Sequence, residues 1–168
     1  MPNKTTLERA RHDKRTGRAP STQAGEFVRE EIEHIREGKH GARSTKQAIA
    51  IGLSKARKAG VDLPPPKEGT TSTRTRHAAE RERRQGRSGR KKAVSRSRSR
   101  ATLRALKREG HGAASKAQLS RQARTAARKR SAAARSRSAR QGARTKGPGL
   151  RRSAAKRAAA TRRRRSSG

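Results

Sequence analysis

Residues 36–60 read REGKHGARSTKQAIAIGLSKARKAG, and this stretch decides the predicted fold. Its first glycines, in the GKHG segment at 38–41, are expected to end one helix. The STKQ segment that follows is a capping box, in which the Ser44 hydroxyl accepts from the Gln47 amide and the Gln47 side chain reaches back. Gly60 favours the end of the second helix. The stretch therefore predicts an αα-hairpin, two helices joined by a glycine-containing turn.

The first helix of this hairpin is expected to begin at Ser21 or Thr22, either of which can cap it, and to run to about Glu37. Apolar residues at helical spacing supply the predicted core: Phe27, Val28, Ile32, Ile35, Ile49 and Leu53. A core this small is marginal on its own. We therefore expect support from a bound polyanion or from a homodimer formed through Phe27, Ile32, Ile35 and Leu53.

The composition of the whole chain points to a polyanionic partner. Its 168 residues include 49 Lys and Arg against 12 Asp and Glu, a formal net charge of +37, and only 27% are hydrophobic. The charge is uneven, because residues 1–82 carry 18 basic and 11 acidic side chains while residues 83–168 carry 31 basic side chains and one acidic side chain, Glu109. A modestly charged head therefore precedes a strongly basic tail.

The predicted fold class is mainly α, a small αα-hairpin head with a largely disordered, partly helical Arg/Ala/Ser-rich tail. Low hydrophobicity with high net charge does not offset the entropy of ordering a chain. Residues 1–20 are expected to form a flexible basic arm and residues 21–63 the helix-turn-helix-like αα-hairpin. A Pro/Gly/Thr linker follows at 64–82, and the basic nucleic-acid-binding tail occupies 83–168.

The tail contains a degenerate copy of the hairpin sequence at residues 99–130. REGHGAASKAQ at 108–118 matches REGKHGARSTKQ at 36–47 when one residue is skipped. The match predicts a helix on each side of the second turn, around 99–108 and 115–130. Most of the large apolar residues of the first copy are missing from the second. We therefore expect this helix pair to form on an anionic template rather than as a second stable hairpin.

Arginine-rich segments suit phosphate, since the guanidinium offers bidentate geometry and each neutralised phosphate releases counterions. The sequence has no zinc-finger pattern and no aromatic stacking platform, so the expected contacts carry little sequence information. The predicted nucleic-acid-binding residues are Lys39, His40, Arg43, Lys46, Arg96, Arg98, Arg100, Arg121, Arg124, Arg128, Lys129, Arg130, Arg151, Arg152, Arg162, Arg163, Arg164 and Arg165. The GKHG turn also resembles the GxxG phosphate clamp of KH domains, but a helix C-cap is the favoured interpretation, and the two roles can coexist.

The segment KQAIAIGLSKARKAG at 46–60 resembles a motif of small, uncharacterised, highly basic bacterial proteins that form a domain-of-unknown-function family. The resemblance covers about residues 21–66 and implies no established activity. The tail is similar in composition to histone-H1-like bacterial proteins, which implies condensation of DNA.

These features together predict a DNA-binding, nucleoid-associated, histone-like protein of the bacterial cytoplasm. It would bind without sequence specificity, with duplex DNA favoured over RNA. An RNA-binding or ribosome-associated protein, and a protein-interaction module with a basic targeting tail, are the alternatives. No enzyme activity, cofactor or metal site is expected, because the chain has no Cys and its five His show no metal-binding spacing. No membrane partner is expected either, since no apolar run approaches the roughly 20 residues of a spanning helix.

Overall fold

The computed structural model describes residues 2–89 and 95–166, and these residues contain seven α-helices, one short 3-10 turn and no strand. The chain divides into two compact units, residues 1–122 and 123–168. The helices are α1 (Lys4–Arg15), α2 (Pro20–Arg36), α3 (Thr45–Lys58), α4 (Thr73–Ser88), α5 (Arg96–Lys107), α6 (Lys116–Arg128) and α7 (Ala132–Ser166). Among the described helices, none combines the length and the apolar character needed to cross a membrane.

The predicted hairpin corresponds to α2 and α3, and Ser44 caps α3 as expected, while the Gln47 side chain reaches back to the residue before the cap. The Gln47 amide donates to the Ser44 hydroxyl at 3.2 Å, and the Gln47 side chain accepts from the Arg43 amide at 2.8 Å. The predicted cap at Ser21 or Thr22 is wrong. Helix α2 begins one residue earlier, at Pro20, because a proline ring presets the backbone for the first helical position and needs no amide partner there.

Both helices of the hairpin end in a Schellman motif. At the end of α2, Gly38 has a φ of 73° and the Lys39 amide donates to the His34 carbonyl at 3.0 Å. At the end of α3, Gly60 has a φ of 91° and the Val61 amide donates to Ala56 at 3.1 Å. The GKHG turn is therefore a helix C-cap, as the favoured interpretation of the sequence predicts.

The core of the first unit consists of two clusters. The first brings together Ala10, Ala24, Phe27, Ala56 and Val61, with Leu7, Leu53 and Leu63 packed against them. The second contains Ile32, Ile35, Ala42, Ala48 and Ala114, flanked by Val28, Ala113 and Leu119. Phe27 and Ile35 are 1% and 0% exposed, so the face expected to form a homodimer is largely covered within one chain.

The expected flexible arm is helix α1, which packs on α2 and buries Thr6, Ala10 and Asp13. The expected linker contains the start of α4, which packs on α3. Its inward side chain is Ala79, buried in the described structure. The sequence pattern predicted neither helix, because the residues that the helices bury are small or polar. They form no stripe of large apolar residues at helical spacing.

The structure overturns the expected fold class at the tail, where α5, α6 and α7 are ordered helices. The second copy of the repeat folds against the first, turn against turn. The Ala42 amide donates to the Gly110 carbonyl at 3.1 Å, and the Thr45 hydroxyl donates to Ala113 at 2.6 Å. Ala114 is completely buried at this joint. Backbone hydrogen bonds make much of this joint, so it needs few large apolar side chains. The second copy is therefore ordered, although it lacks most of the large apolar residues of the first.

Candidate nucleic-acid interface

Helix α7 carries more basic residues than any other described helix. Ser131 caps it, since its hydroxyl accepts from the Ala134 amide at 3.2 Å. The helix contains 13 Lys and Arg residues and no Asp or Glu. It bends at Gly147, which has a φ of 67°, and the following Pro148 cannot donate a backbone hydrogen bond. The bend divides the basic residues between two helical segments.

The described basic side chains of α7 are all exposed. Arg151, Arg152, Arg162 and Arg164 are each exposed, as is Arg163. The side chain of Arg165 lies outside the described part of the structure. A helix that is polar on every side does not bury a stripe against a core. The described guanidinium groups of α7 therefore face solvent, where a polyanion can reach them.

The head neutralises many of its basic side chains internally. Arg29 Nε lies 3.1 Å from a Glu33 oxygen, and Lys58 Nζ lies 3.3 Å from a Glu82 oxygen. The tail has no such supply of carboxylates, because Glu109 is the only acidic side chain after residue 82. The positive charge that remains for an external partner is therefore concentrated in the tail.

The predicted residues on α5, on α6 and just after α6 are also exposed. They are Arg96, Arg98, Arg100, Arg121, Arg124 and Arg128, followed by Lys129 and Arg130. The Arg-Ser alternation at 95–100 starts α5, with the Ser95 hydroxyl as its cap. Helical spacing places Arg96, Arg100 and Arg104 on one face of α5. The predicted helix began near residue 99 and so did not include Arg96.

The predicted contacts at the first turn divide into two groups. Lys39, Arg43 and Lys46 are exposed. His40 is only 8% exposed, with its Nδ1 3.0 Å from the Gly41 carbonyl oxygen. It is therefore largely buried within the turn, unlike the other three.

The backbone of the first turn is also engaged. The Gly41 amide donates to the Leu106 carbonyl at 2.9 Å, and the neighbouring Ala42 amide donates to Gly110. A GxxG phosphate clamp requires backbone amides that face the ligand. These amides serve the joint between the two copies of the repeat, so the turn does not form a clamp.

Residues 11–67 match a family of unknown function, DUF6496. The matched segment covers about one third of the chain and includes the predicted span 21–66, so the expected resemblance to an uncharacterised family is confirmed. A search of curated proteins and a search of solved structures each found no match. The family description names no activity, and the strongly basic helices α5 to α7 lie outside the DUF6496 segment.

The DUF6496 segment contains a group of buried polar residues that the sequence analysis missed. Glu31, His34 and His40 each place one oxygen or nitrogen atom within 4.8 Å of the other two. Among the described residues, this group is suited to hold a metal ion. Glu31 and His34 are only three positions apart on α2, but the contribution of His40 depends on the turn geometry, which the sequence did not reveal.

Proposed function

We propose that this protein binds nucleic acid without sequence specificity by neutralising phosphates with its basic helices, as a histone-like protein of the bacterial nucleoid. One observation carries the proposal. Helix α7 has 13 basic and no acidic residues, and the described basic side chains on it are exposed. Such a surface attracts polyanions at long range and holds them by many weak contacts.

The mechanism is the release of counterions from the phosphate backbone. On duplex DNA, each neutralised phosphate contributes about −0.9 to the slope of log affinity against log salt. Arg is the dominant cation of α7, and its planar guanidinium forms paired hydrogen bonds to phosphate oxygens. Affinity should therefore be high at low salt and fall steeply as salt is added.

Duplex DNA is the favoured form for two reasons. Single-strand binders usually stack bases on aromatic side chains, and this chain has one Phe and no Tyr or Trp. An α-helix enters the major groove of B-form DNA, whereas the major groove of A-form RNA is too narrow for side chains to read. Contacts confined to phosphates would make binding largely independent of base sequence.

The test is a salt titration of binding to random-sequence duplex DNA, with two variants of equal net charge. The tail variant replaces five exposed arginines of α7 by Gln, at positions Arg151, Arg152, Arg157, Arg162 and Arg164. The control variant replaces five basic residues of the head that pair with carboxylates, at positions Arg9, Arg18, Arg29, Lys58 and Arg76. Circular dichroism verifies that both variants retain the helical content of the wild type.

The tail variant should lose up to roughly 4 units of salt slope, while the control variant should lose much less. Equal losses in the two variants would show that net charge alone matters, and would contradict an interface on α7. Competition at matched salt between duplex DNA and structured RNA tests the nucleoid assignment. A preference for RNA would replace it by the RNA-binding alternative.

A further inference from the structure

Glu31 is a fully buried carboxylate at the centre of the first unit. Its Oε2 accepts a hydrogen bond from Lys55 Nζ at 2.5 Å. Its Oε1 has no hydrogen-bond partner, although His40 Nε2 lies 3.2 Å away. A buried carboxylate oxygen without a hydrogen bond carries an uncompensated desolvation cost. One position for a positively charged ligand therefore remains beside Oε1.

Two histidines face this carboxylate from different parts of the chain. His40 has Nδ1 3.0 Å from the Gly41 carbonyl oxygen, so a proton on Nδ1 leaves the Nε2 lone pair directed towards Glu31. His34, on α2, packs edge-on against His40 with 6.3 Å between ring centroids. Burial, and then the charges of Lys55 and Lys39, lower the pKa of His34 below its ordinary value.

The group offers donor atoms of the types that bind a divalent transition-metal ion. Two imidazoles and one carboxylate are a common ligand set for Zn²⁺, with a fourth position left for water. The three ligand atoms lie within 4.8 Å of one another, so small side-chain movements bring them around one ion. Glu30 Oε1 lies 3.6 Å from His34 Nε2, where an outer carboxylate can orient the ring.

A groove connects this group to solvent. Residues of α3 and α5 form its walls, and Glu31 and His40 contribute to its lining. The groove encloses about 690 Å³, which gives an ion a path of entry and leaves space for a water ligand. Leu103 and Leu106 of α5 supply apolar lining beside the polar group.

The two copies of the repeat differ at this site. The alignment of the two copies skips Lys39. Before it, Glu31 corresponds to Leu103 and His34 to Leu106; after it, His40 corresponds to His111. The second copy therefore lacks two of the three ligands, and its leucines line the groove beside the first copy's polar residues. The polar group is specific to the first copy and is not a general property of the repeated sequence.

We propose that Glu31, His34 and His40 bind a divalent transition-metal ion of the Zn²⁺ type, with water from the groove as the fourth ligand. Lys55 stays bonded to the other oxygen of Glu31 and orients the carboxylate for coordination through Oε1 alone. The ion links α2 to the turn that docks on the second copy of the repeat. Its role is therefore to stabilise the joint between the copies, independently of the nucleic-acid interface on α7.

The test is calorimetric titration of the full chain with Zn²⁺ after treatment with chelator and removal of bound nucleic acid. The wild type should bind one ion per chain. His34→Gln should weaken the affinity by at least about 10-fold, because removing even an outer partner of a metal ligand costs that much. His12→Gln is the matched control, since His12 is an exposed histidine on α1 next to acidic residues. This variant should bind Zn²⁺ with the affinity of the wild type.

Two further measurements distinguish a metal site from a structural ion-pair network. Zn²⁺ should raise the unfolding temperature of the wild type but not that of His34→Gln. Bound Co²⁺ should give the absorption bands of a tetrahedral site in the wild type only. Glu31→Gln alone does not decide the matter, because the variant leaves the charge of Lys55 without its partner and can unfold.

The proposal is overturned if the wild type binds no ion saturably, or if wild type and His34→Gln bind Zn²⁺ with equal affinity. A loss of binding in His12→Gln and not in His34→Gln would also overturn it, since the ion would then occupy the exposed surface of α1. Each of these results would identify the group around Glu31 as an ion-pair network that only stabilises the fold.

Discussion

Two glycines of the head lie where another stretch of backbone passes too close for a β-carbon. A Cβ at Gly52, within α3, would lie 2.6 Å from the Val28 Cα atom of α2. A Cβ at Gly41, in the first turn, would lie 1.9 Å from the Glu109 carbonyl oxygen. Backbone atoms cannot move aside as the end of a flexible side chain can. These two positions therefore set the spacing of the hairpin and of the joint between the repeats.

Gly52→Ala is expected to destabilise the protein by about 1–3 kcal/mol, because overpacking outweighs the better helix propensity of Ala. Gly25→Ala in α2 is the control, since a Cβ there would meet no atom within 4 Å. That change should stabilise the protein by about 0.5–1 kcal/mol. Urea unfolding followed by circular dichroism measures both effects, and stabilisation by Gly52→Ala would contradict the close packing of α2 and α3.

Gly41→Ala is expected to separate the two turns while leaving the hairpin itself folded. The amide of Ala42, which donates to Gly110, should then exchange with solvent much faster than in the wild type. Gly110→Ala provides the comparison, because a Cβ at Gly110 would meet no atom within 4 Å. Equal exchange rates for Ala42 in the two variants would contradict the docking of the second copy. Amide exchange measured by NMR resolves this single position.

At the scale of the helices, α4 is the element that differs most from its expected role as part of a linker. Glu82 accepts from the Ser54 hydroxyl at 2.6 Å, and Arg83 donates to Asp62 at 2.6 Å. A Cβ at Gly86 would lie 1.9 Å from the carbonyl oxygen of Arg57. These contacts fix α4 against α3 and against the segment that follows α3.

The hydrogen bond from Arg83 holds the pKa of Asp62 below its ordinary value. Because the pKa of Asp62 is lower in the folded state, the ion pair stabilises the protein fully at pH values above the ordinary pKa of Asp. This stabilisation is lost as the pH falls through the pKa of Asp62 in the folded protein. Arg83→Gln should therefore raise the pKa of Asp62 towards its ordinary value, as measured by NMR titration of the carboxyl carbon. Arg81→Gln, an exposed change on the same helix, should have a much smaller effect; an unchanged pKa in Arg83→Gln would contradict the docking of α4.

The sequence predicted those elements whose signals are local. The Ser44 cap, the Gly38 and Gly60 ends and the Ser115 start of α6 all follow from neighbouring residues. It did not predict α4, because packing through Ala and glycine leaves no apolar periodicity. It also missed the joint between the repeats, since backbone hydrogen bonds between distant segments have no signature in side-chain patterns.

At the scale of the whole molecule, positive charge is managed differently in the two halves of the chain. The head interleaves basic and acidic residues and uses some of the pairs in packing, as with Glu31 and Lys55. The tail has 31 basic residues and only Glu109 to offset them. Composition alone predicted this division. It could not tell that His40 is buried.

A chain ending after Arg130, at the close of α6, is expected to unfold at nearly the same temperature as the full chain. It should also bind duplex DNA with a much smaller salt slope, because it lacks the 13 basic residues of α7. Thermal unfolding by circular dichroism and a salt-titrated binding assay measure the two properties. Unchanged binding would place the interface in the head, and early unfolding would give α7 a part in the stability of the first unit.

The joint between the two turns has a consequence for how this sequence can evolve. A contact made by main-chain amides and carbonyls depends on backbone geometry, and it tolerates exchange of most side chains around it. The second copy can thus carry arginine and serine where the first has isoleucine without losing its attachment to the first. The copy that keeps the apolar core acts as a fixed anchor, and the other is free to diversify in charge.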